Sequence, residues 1–242
     1  MDFIEFEALL TRSLQENGLE ALSKEQTEQF YRFDTLLHKT NAITNLTAIR
    51  TTEEAITKHY VDSLLASKYL PKGARVLDLG CGPGFPSVPL AIARPDLSLV
   101  ALDSTAKKIA FVEQAAKELM LSNLKAIAGR AEDAKISSQL GLFDVVVSRA
   151  VARMNVLCEL CLPYTKISGF LLAMKAARAE EEALEAQRCI RTLGGSESIL
   201  IPLTLTHLSG EADSRCLIRV NKIRKHPEQY PRAYAQILKK PL

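Results

Sequence analysis

A run of closely spaced glycines follows a short apolar segment near the middle of the chain. Gly80, Gly82 and Gly84 are separated by single residues and directly follow the apolar run 75–79. Glycine permits a left-handed backbone and lets a ligand approach the main chain closely. In open α/β sheets such a turn stands at the carboxyl end of the first strand, where ligands bind. The spacing therefore predicts a ligand-binding loop.

Phe85 decides which ligands this loop disfavours. It stands where the dinucleotide fingerprint Gly-x-Gly-x-x-Gly requires its third glycine. A bulky ring there argues against a pyrophosphate on the following helix, and hence against NAD or FAD. The loop contains no lysine or arginine, and no Gly-Lys-Ser/Thr follows it, which excludes a P-loop nucleotide site. A turn that only connects strand to helix is the structural alternative.

Two carboxylates narrow the choice of ligand. Asp103 ends the second apolar run, about twenty residues after the loop, where a carboxylate can accept both ribose hydroxyls of an adenosine. Asp78, within the first apolar run, is a candidate partner for a cationic amine. An adenosine with an ammonium group and no phosphate is S-adenosyl-L-methionine. We therefore expect this molecule as the cofactor.

The ends of the next two predicted strands place further polar groups at the same edge. Ala131 and Glu132 follow the third strand, where a backbone and a carboxylate could contact an adenine edge. Arg149 ends the fourth strand, beside the expected position of the reactive methyl, and is assigned a positioning role. A surface ion pair is the alternative interpretation for Glu132 and for Arg149.

The first seventy residues are predicted to be helical. Apolar residues recur at helical spacing over 6–14 and 30–37, whereas the Asn- and Thr-rich stretch 40–50 predicts a loop. Thr51, with Glu54 three residues later, predicts the start of another helix.

From Arg75 onwards, strands alternate with helices. This pattern indicates βαβ units and a doubly wound, mainly parallel sheet. The predicted strands are 75–79, 97–103, 125–129, 143–148, 170–175, 199–205 and 215–220, and the predicted helices extend to 94 and over 106–121, 155–166 and 178–193. No helix separates the last two strands, which predicts an antiparallel hairpin at the sheet edge. We expect an N-terminal helical region, 1–70, and a cofactor-binding core with a basic tail, 71–242.

Composition describes an ordinary globular chain. Its 242 residues are 47% hydrophobic and 24% charged, which excludes a disordered or fibrous protein. No apolar window has the roughly 18–20 residues that span a bilayer, and the acidic N-terminus lacks the features of a signal peptide. We therefore expect a cytoplasmic protein without a membrane partner, and a monomer.

Cysteines and charge runs have simple interpretations. Five cysteines, including the C-x-x-C pair Cys158 and Cys161, suit reduced, buried thiols better than a redox or metal site. The acidic run 180–182 is expected on a solvated helix face.

The basic tail is interpreted either as a solvated end or as a patch that contacts phosphates. Its cations are Lys222, Arg224, Lys225, Arg232, Lys239 and Lys240.

Taken together, the motifs resemble the RsmG (GidB) family. The relevant segments are 77–86, 103–104, 130–132, 148–152 and 230–232, with 45–47 and 59–64 in the helical region. The resemblance implies a class I methyltransferase (Rossmann-like) fold and methylation of guanine N7 in small-subunit (16S) ribosomal RNA, either free or in the small ribosomal subunit. It also implies cofactor contacts by Gly80, Phe85, Ala131, Glu132 and Arg149.

The residues present are compatible with that chemistry. Guanine N7 offers a lone pair and no proton, so in-line displacement needs alignment rather than a general base. The Asn/Asp-Pro-Pro-Tyr motif of exocyclic amine methylation is absent, and Cys161 is poorly placed for pyrimidine C5 attack. His59, Asp62 and Ser63 lack the arrangement of an acyl-transfer triad. They are expected either to brace the loop around Asn45 or to contact RNA.

Other functions stay open at this point. A methyltransferase of small molecules or proteins would share the same fold. A non-catalytic protein that binds RNA or S-adenosylmethionine would share the cleft but form no product. A dehydrogenase is disfavoured by Phe85.

Overall fold

The computed structural model describes all residues from Met1 to Leu242. One seven-stranded sheet organises the chain, with the spatial order β3-β2-β1-β4-β5-β7-β6. The strands are β1 (Arg75–Leu79), β2 (Ser98–Asp103), β3 (Leu124–Ala128), β4 (Phe143–Arg149), β5 (Thr165–Lys175), β6 (Ile199–Thr206) and β7 (Ala212–Asn221). Strands β1 to β5 pair in parallel. The order reverses between β1 and β4, and such a switch point leaves a crevice at the carboxyl ends of the strands.

The last two strands form the predicted antiparallel hairpin. Strand β7 lies between β5 and β6 and runs antiparallel to both. Lys175, the last residue of β5, pairs with Cys216, so the start of β7 and the end of β6 extend past the head of β5. The side chain of Asn17 holds this overhang, since it accepts from the amide of Thr206 at 2.8 Å and donates to its carbonyl at 3.0 Å.

Helices cover both faces of the sheet. They are α1 (Phe3–Glu16), α2 (Lys24–Thr44), α3 (Thr52–Ala55), α4 (Asp62–Leu64), α5 (Ser87–Ala93), α6 (Ala106–Glu118), α7 (Ala134–Leu140), α8 (Met154–Cys161), α9 (Ala179–Glu185), α10 (Gln187–Thr192) and α11 (Tyr234–Lys239). The π-helical segment Ile56–Val61 joins α3 to α4. Thr51 caps α3 by accepting from the amide of Glu54, as its position predicted. None of the helices combines the length and the apolar character needed to cross a bilayer.

Several helix predictions were wrong. Helix α2 continues through Thr44 into the expected loop, because Asn41 is buried and its side chain holds the backbone of Thr47. Helix α8 ends at Cys161, where a 3-10 turn containing Pro163 leads directly into β5. The predicted helix 178–193 is divided into α9 and α10, and neither α7 nor α11 was anticipated.

The core lies on both faces of the sheet. On one face, Phe6 and Phe33 of the N-terminal helices belong to the same buried cluster as Val76 of β1. On the other face, Leu157 of α8 belongs to the same buried cluster as Leu171 of β5. The N-terminal helices therefore share a continuous core with the sheet, and the division of the chain near residue 70 stays a prediction.

The basic tail is only partly a surface feature. Lys222 is 2% exposed, and its ammonium donates to the carbonyls of Leu162 and Leu193 at 3.1 and 2.6 Å. Burial lowers the pKa of Lys222 to about 8. Arg232 pairs with the fully buried Glu159 at 2.6 Å. Lys222 and Arg232 therefore anchor the tail to the core. At these two positions, both the solvated end and the phosphate-contacting patch expected from the sequence are wrong.

Two other expectations concern buried polar groups. Cys158 and Cys161 are fully buried, and burial raises the pKa of both thiols, as structural thiols require. Glu182, expected in solvent, instead accepts from the Lys175 ammonium at 2.7 Å and from the Met154 amide at 2.9 Å. The acidic run therefore includes one internal anchor.

Candidate functional site

A cleft of about 500 Å³ opens at the switch point of the sheet. Its walls come from the loop after β1, the ends of β2, β3 and β4, and three residues of the N-terminal region, Leu46, Thr47 and His59. Seven of the sequence-predicted residues line it: Gly80, Gly82, Phe85, Asp103, Ala131, Glu132 and Arg149. The structure thus brings together groups that are up to 69 residues apart in the sequence, because parallel strands end at one edge.

The glycine loop is closely packed at Gly80 and has open space beside Gly82. Gly80 has φ of 77°, and its amide donates to the Leu102 carbonyl at 2.7 Å. A Cβ on Gly80 would lie 2.3 Å from Val151, so no larger residue fits there. At Gly82, where φ is 55°, a Cβ would meet no atom within 4 Å. Because Gly82 lines the cleft, a side chain at this position would enter it.

Gly84 has a different role from the other two glycines. It does not line the cleft. Its φ is 98°, and a Cβ there would lie 2.6 Å from Val88 and 3.3 Å from Val112. This glycine allows the loop to pack against α5 and α6, so its expected ligand contact is replaced by a packing role.

Two carboxylates face the cleft as expected. Asp103 accepts from the amides of Gly82 at 3.0 Å and Thr105 at 2.8 Å, which fixes the loop to the end of β2. Each carboxylate oxygen can accept more than one hydrogen bond. Glu132 has only a 3.4 Å contact with Arg130, and its side chain is 15% exposed. Both groups therefore keep acceptor capacity for the hydroxyls or the amino group of an adenosine.

Asp78 does not reach the cleft. It is fully buried, and one of its oxygens accepts from the Ser87 amide at 3.0 Å, while the other has no partner. Burial raises the pKa of Asp78 to about 7. The carboxyl group therefore ties β1 to the start of α5, and its expected contact with a cationic amine is corrected.

Arg149 connects the end of β4 to the π-helical segment. One nitrogen of its guanidinium donates to Asp62 at 2.8 Å and to the Lys58 carbonyl at 3.0 Å. The other terminal nitrogen contacts His59 Nδ1 at 3.3 Å. Arg149 is 14% exposed, so the contacts hold it in one position at the wall of the cleft.

His59 braces the same wall. Its Nε2 contacts the Thr47 hydroxyl at 2.8 Å, and its ring stacks on Phe85. Burial, together with the charge of Arg149, lowers the pKa of His59 to about 3, so the imidazole is neutral. The Ser63 hydroxyl donates to the His59 carbonyl rather than to the ring. This arrangement supports the bracing hypothesis for the histidine.

Sequence reasoning did not assign several residues of the cleft. Thr47, Lys108 and Tyr234 line it. Thr47 belongs to the segment 45–47 that resembles the family, and Lys108 lies in the first turn of α6, five residues after Asp103. Tyr234 gave no local signal, because the packing of α11 on α8 brings it to the site.

The cleft fits S-adenosyl-L-methionine on its own geometry. It provides acceptors for ribose hydroxyls, open space above Gly82 and a loop free of basic residues. Together with the mainly parallel sheet and its switch point between β1 and β4, these features define a class I, Rossmann-like methyltransferase that uses this cofactor.

The comparisons agree with this class. The GidB family, described as rRNA small subunit methyltransferase G, matches residues 26–206. A relative named "Ribosomal RNA small subunit methyltransferase G" from Clostridium botulinum is 39% identical over 99% of this chain and 100% of its own length. A relative of the same name from Deinococcus radiodurans is 44% identical over 93% and 88%. This chain belongs to the GidB family.

A solved structure shows the same fold. The Precorrin-6y C5,15-methyltransferase of Geobacter metallireducens superimposes with a TM-score of 0.50 at 14% identity. The match covers 74% of this chain and 91% of that chain. At this identity the likeness concerns the fold alone.

Proposed function

We propose that the protein transfers a methyl group from S-adenosyl-L-methionine to N7 of a guanine in small-subunit ribosomal RNA, and that it acts as a monomer. Membership of the GidB family supports the RNA substrate. The observation that carries the proposal is the cleft itself, which brings two carboxylates and a braced arginine together at the ends of the strands. Because one chain supplies all three groups, the site is complete in a monomer.

Each wall of the cleft has a role in holding the cofactor. Gly80 and Gly82 leave room for it above the loop, and Asp103 accepts its ribose hydroxyls. Ala131 and Glu132 contact the adenine edge. Phe85 lines the cleft but is only 3% exposed and belongs to the core, so it supports the loop beneath the cofactor. Lys108, which the sequence did not predict, also lines the cleft and is the lining cation that lies nearest to Asp103 in sequence.

The residues at the methyl end position the reactants. When bound, the cofactor supplies an electrophilic methyl group on a sulfonium. Guanine N7 has a lone pair and no proton, so alignment is the main requirement. Asp62 has both oxygens occupied by guanidinium groups, and His59 is neutral. These groups fix Arg149 in place rather than remove a proton.

The proposal is tested with cofactor labelled in the methyl group. The substrates are small ribosomal subunits and deproteinised small-subunit RNA from cells that lack this protein. We expect label in one of them, recovered as 7-methylguanosine at a single position by mass mapping of nucleotides. Binding that weakens steeply with salt would agree with phosphate contacts. The proposal is wrong if neither RNA accepts label, or if the label is on another atom.

A further inference from the structure

A second cavity lies directly beside the cofactor cleft at the same edge of the sheet. Its volume is about 380 Å³. His59, Arg149 and Ala150 line both cavities, so the two cavities adjoin at these residues. In-line transfer requires the nucleophile about 3 Å from the reacting carbon. The position of this cavity is therefore suited to an acceptor.

Most of the cavity surface is apolar. Leu65 contributes from the N-terminal region, Met174 from the end of β5, Leu203 from β6 and Leu217 from β7. These side chains come from four separate elements and leave space between them. A flat heteroaromatic base can replace water against such aliphatic surfaces, since its faces are poorly hydrated relative to its edges.

Asp62, Arg149 and Arg215 form one linked cluster in the cavity. The ammonium groups of Lys58 and Lys175, which also line it, pair instead with Glu54 and Glu182. Asp62 accepts from Arg149 through one oxygen and from Nε of Arg215 through the other, both at 2.8 Å. Arg215 also donates to the Ser214 carbonyl and to Asp213. A guanidinium has five N–H groups, so Arg215 keeps two of them unused. Its side chain is 22% exposed and lines this cavity but not the cofactor cleft.

We propose that this second cavity receives the target guanine and that Arg215 donates a hydrogen bond to its O6. The inference rests on the proposed function. Guanine presents two acceptors, N7 and O6, on one edge, where adenine presents N7 and an amino donor. N7 must stay free for the methyl group, which leaves O6 as the atom to be recognised. A guanidinium only donates, so it favours guanine over adenine. Asp62 is then a positioning residue for Arg215.

The location of the base is tested by filling the cavity. Leu203→Trp places a large ring there, and Ile199→Trp, on the exposed part of the same strand, is the matched control. We expect Leu203→Trp to bind S-adenosylmethionine as the wild type does in calorimetry, while kcat/KM for RNA falls at least tenfold. Wild-type kcat/KM in Leu203→Trp would overturn the proposal.

The role of Arg215 is tested on RNA with an altered base at the mapped target. Inosine keeps N7 and O6, whereas adenosine has an amino group in place of O6, and neither base carries a 2-amino group. We expect the wild type to prefer inosine, and Arg215→Ala to reduce that preference by about tenfold, which is the usual effect of one good base-edge contact. Arg215→Lys, which keeps a donor, should restore part of it. An unchanged preference in Arg215→Ala overturns the assignment.

These outcomes are separable from failure of the proposed function. If the wild type does not methylate guanine N7 in any ribosomal RNA, the proposed function fails before a variant is examined. If the wild type is active and both Leu203→Trp and Arg215→Ala behave like it, only the assignment of the second cavity fails.

Discussion

The imidazole of His59 lies flat on the ring of Phe85, with centroids 4.1 Å apart and an interplanar angle of 16°. One residue belongs to the π-helical segment of the N-terminal region, and the other to the glycine loop. The stack therefore joins two regions that are separate in sequence at the wall of the cofactor cleft. A π-helical segment in this position follows a general tendency of such segments to occur at functional sites.

Phe85 is expected to affect both stability and cofactor binding. Its ring also contacts Phe33 and Tyr60, so Phe85→Ala leaves a cavity beneath the loop. We expect a loss of about 3–5 kcal/mol in the free energy of unfolding, which is typical of buried Phe→Ala changes, together with weaker cofactor binding. Denaturant unfolding and calorimetry measure the two effects. Phe3→Ala, at a half-buried ring on α1, should cost markedly less and leave binding unchanged.

Gly82 provides a test of the cleft with a matched control. Gly82→Leu introduces a side chain into the cleft, and Gly18→Leu introduces one at a left-handed glycine that also has open space around it. Both variants should lose about 1–2 kcal/mol of stability from the left-handed backbone. Only Gly82→Leu should lose cofactor binding in calorimetry. Equal binding by both variants would show that the cofactor lies elsewhere.

The pair of Arg232 and Glu159 is expected to be important for stability. Arg232→Ala leaves the fully buried Glu159 without its cation, and breaking such a pair costs about 3–5 kcal/mol. Lys225→Ala, at an exposed position of the same tail, should change stability by less than about 0.5 kcal/mol. Adding Glu159→Gln to Arg232→Ala should restore part of the loss. Urea unfolding of the four proteins gives the comparison.

The low pKa of His59 predicts a pH-dependent stability term. Below pH 6.5 the unfolded chain binds a proton at this histidine, but the folded chain does not until about pH 3. Stability therefore falls as the pH is lowered through this window, by up to about 1.4 kcal/mol per pH unit. The raised pKa of Asp78 acts in the opposite direction, so the wild-type curve alone is ambiguous.

A variant isolates the histidine term. His59→Gln keeps a polar side chain that does not titrate, and Asp78, Asp62, Arg149 and His38 are the same in both proteins. We expect the difference in unfolding free energy, wild type minus His59→Gln, to shrink between pH 7.5 and pH 5. A difference that is constant with pH would contradict the buried, neutral state of this imidazole.

The parts of the site that sequence could predict are those fixed by local rules. The glycine turn follows β1, Asp103 ends β2, and Glu132 lies four residues after β3. Parallel strands place their ends at one edge of the sheet. The periodicity of apolar residues was enough to identify these strands. The antiparallel hairpin was predictable as well, because no helix separates its two strands.

The remaining features depend on contacts between distant segments. Asp62 and Arg215 are 153 residues apart, and nothing in the local sequence of either residue indicates their pairing. Lys222 looks like an exposed cation until the fold places two carbonyls around its ammonium. Helix α2 runs past its expected end because burial of Asn41 outweighs the local preference of Asn and Thr for loops.

The hairpin of β6 and β7 has a consequence for access to the protein. Four residues of β7, Ala212 to Arg215, precede the last pairing with β5, which corresponds to about 13 Å of strand. Asn17 fixes the end of this extension, which therefore forms a supported flank beside the second cavity. A large substrate that approaches along the β6–β7 extension must have a surface that is complementary in shape to it. Changes along the outer side of the flank would therefore alter which partners are admitted while the interior of the sheet stays intact.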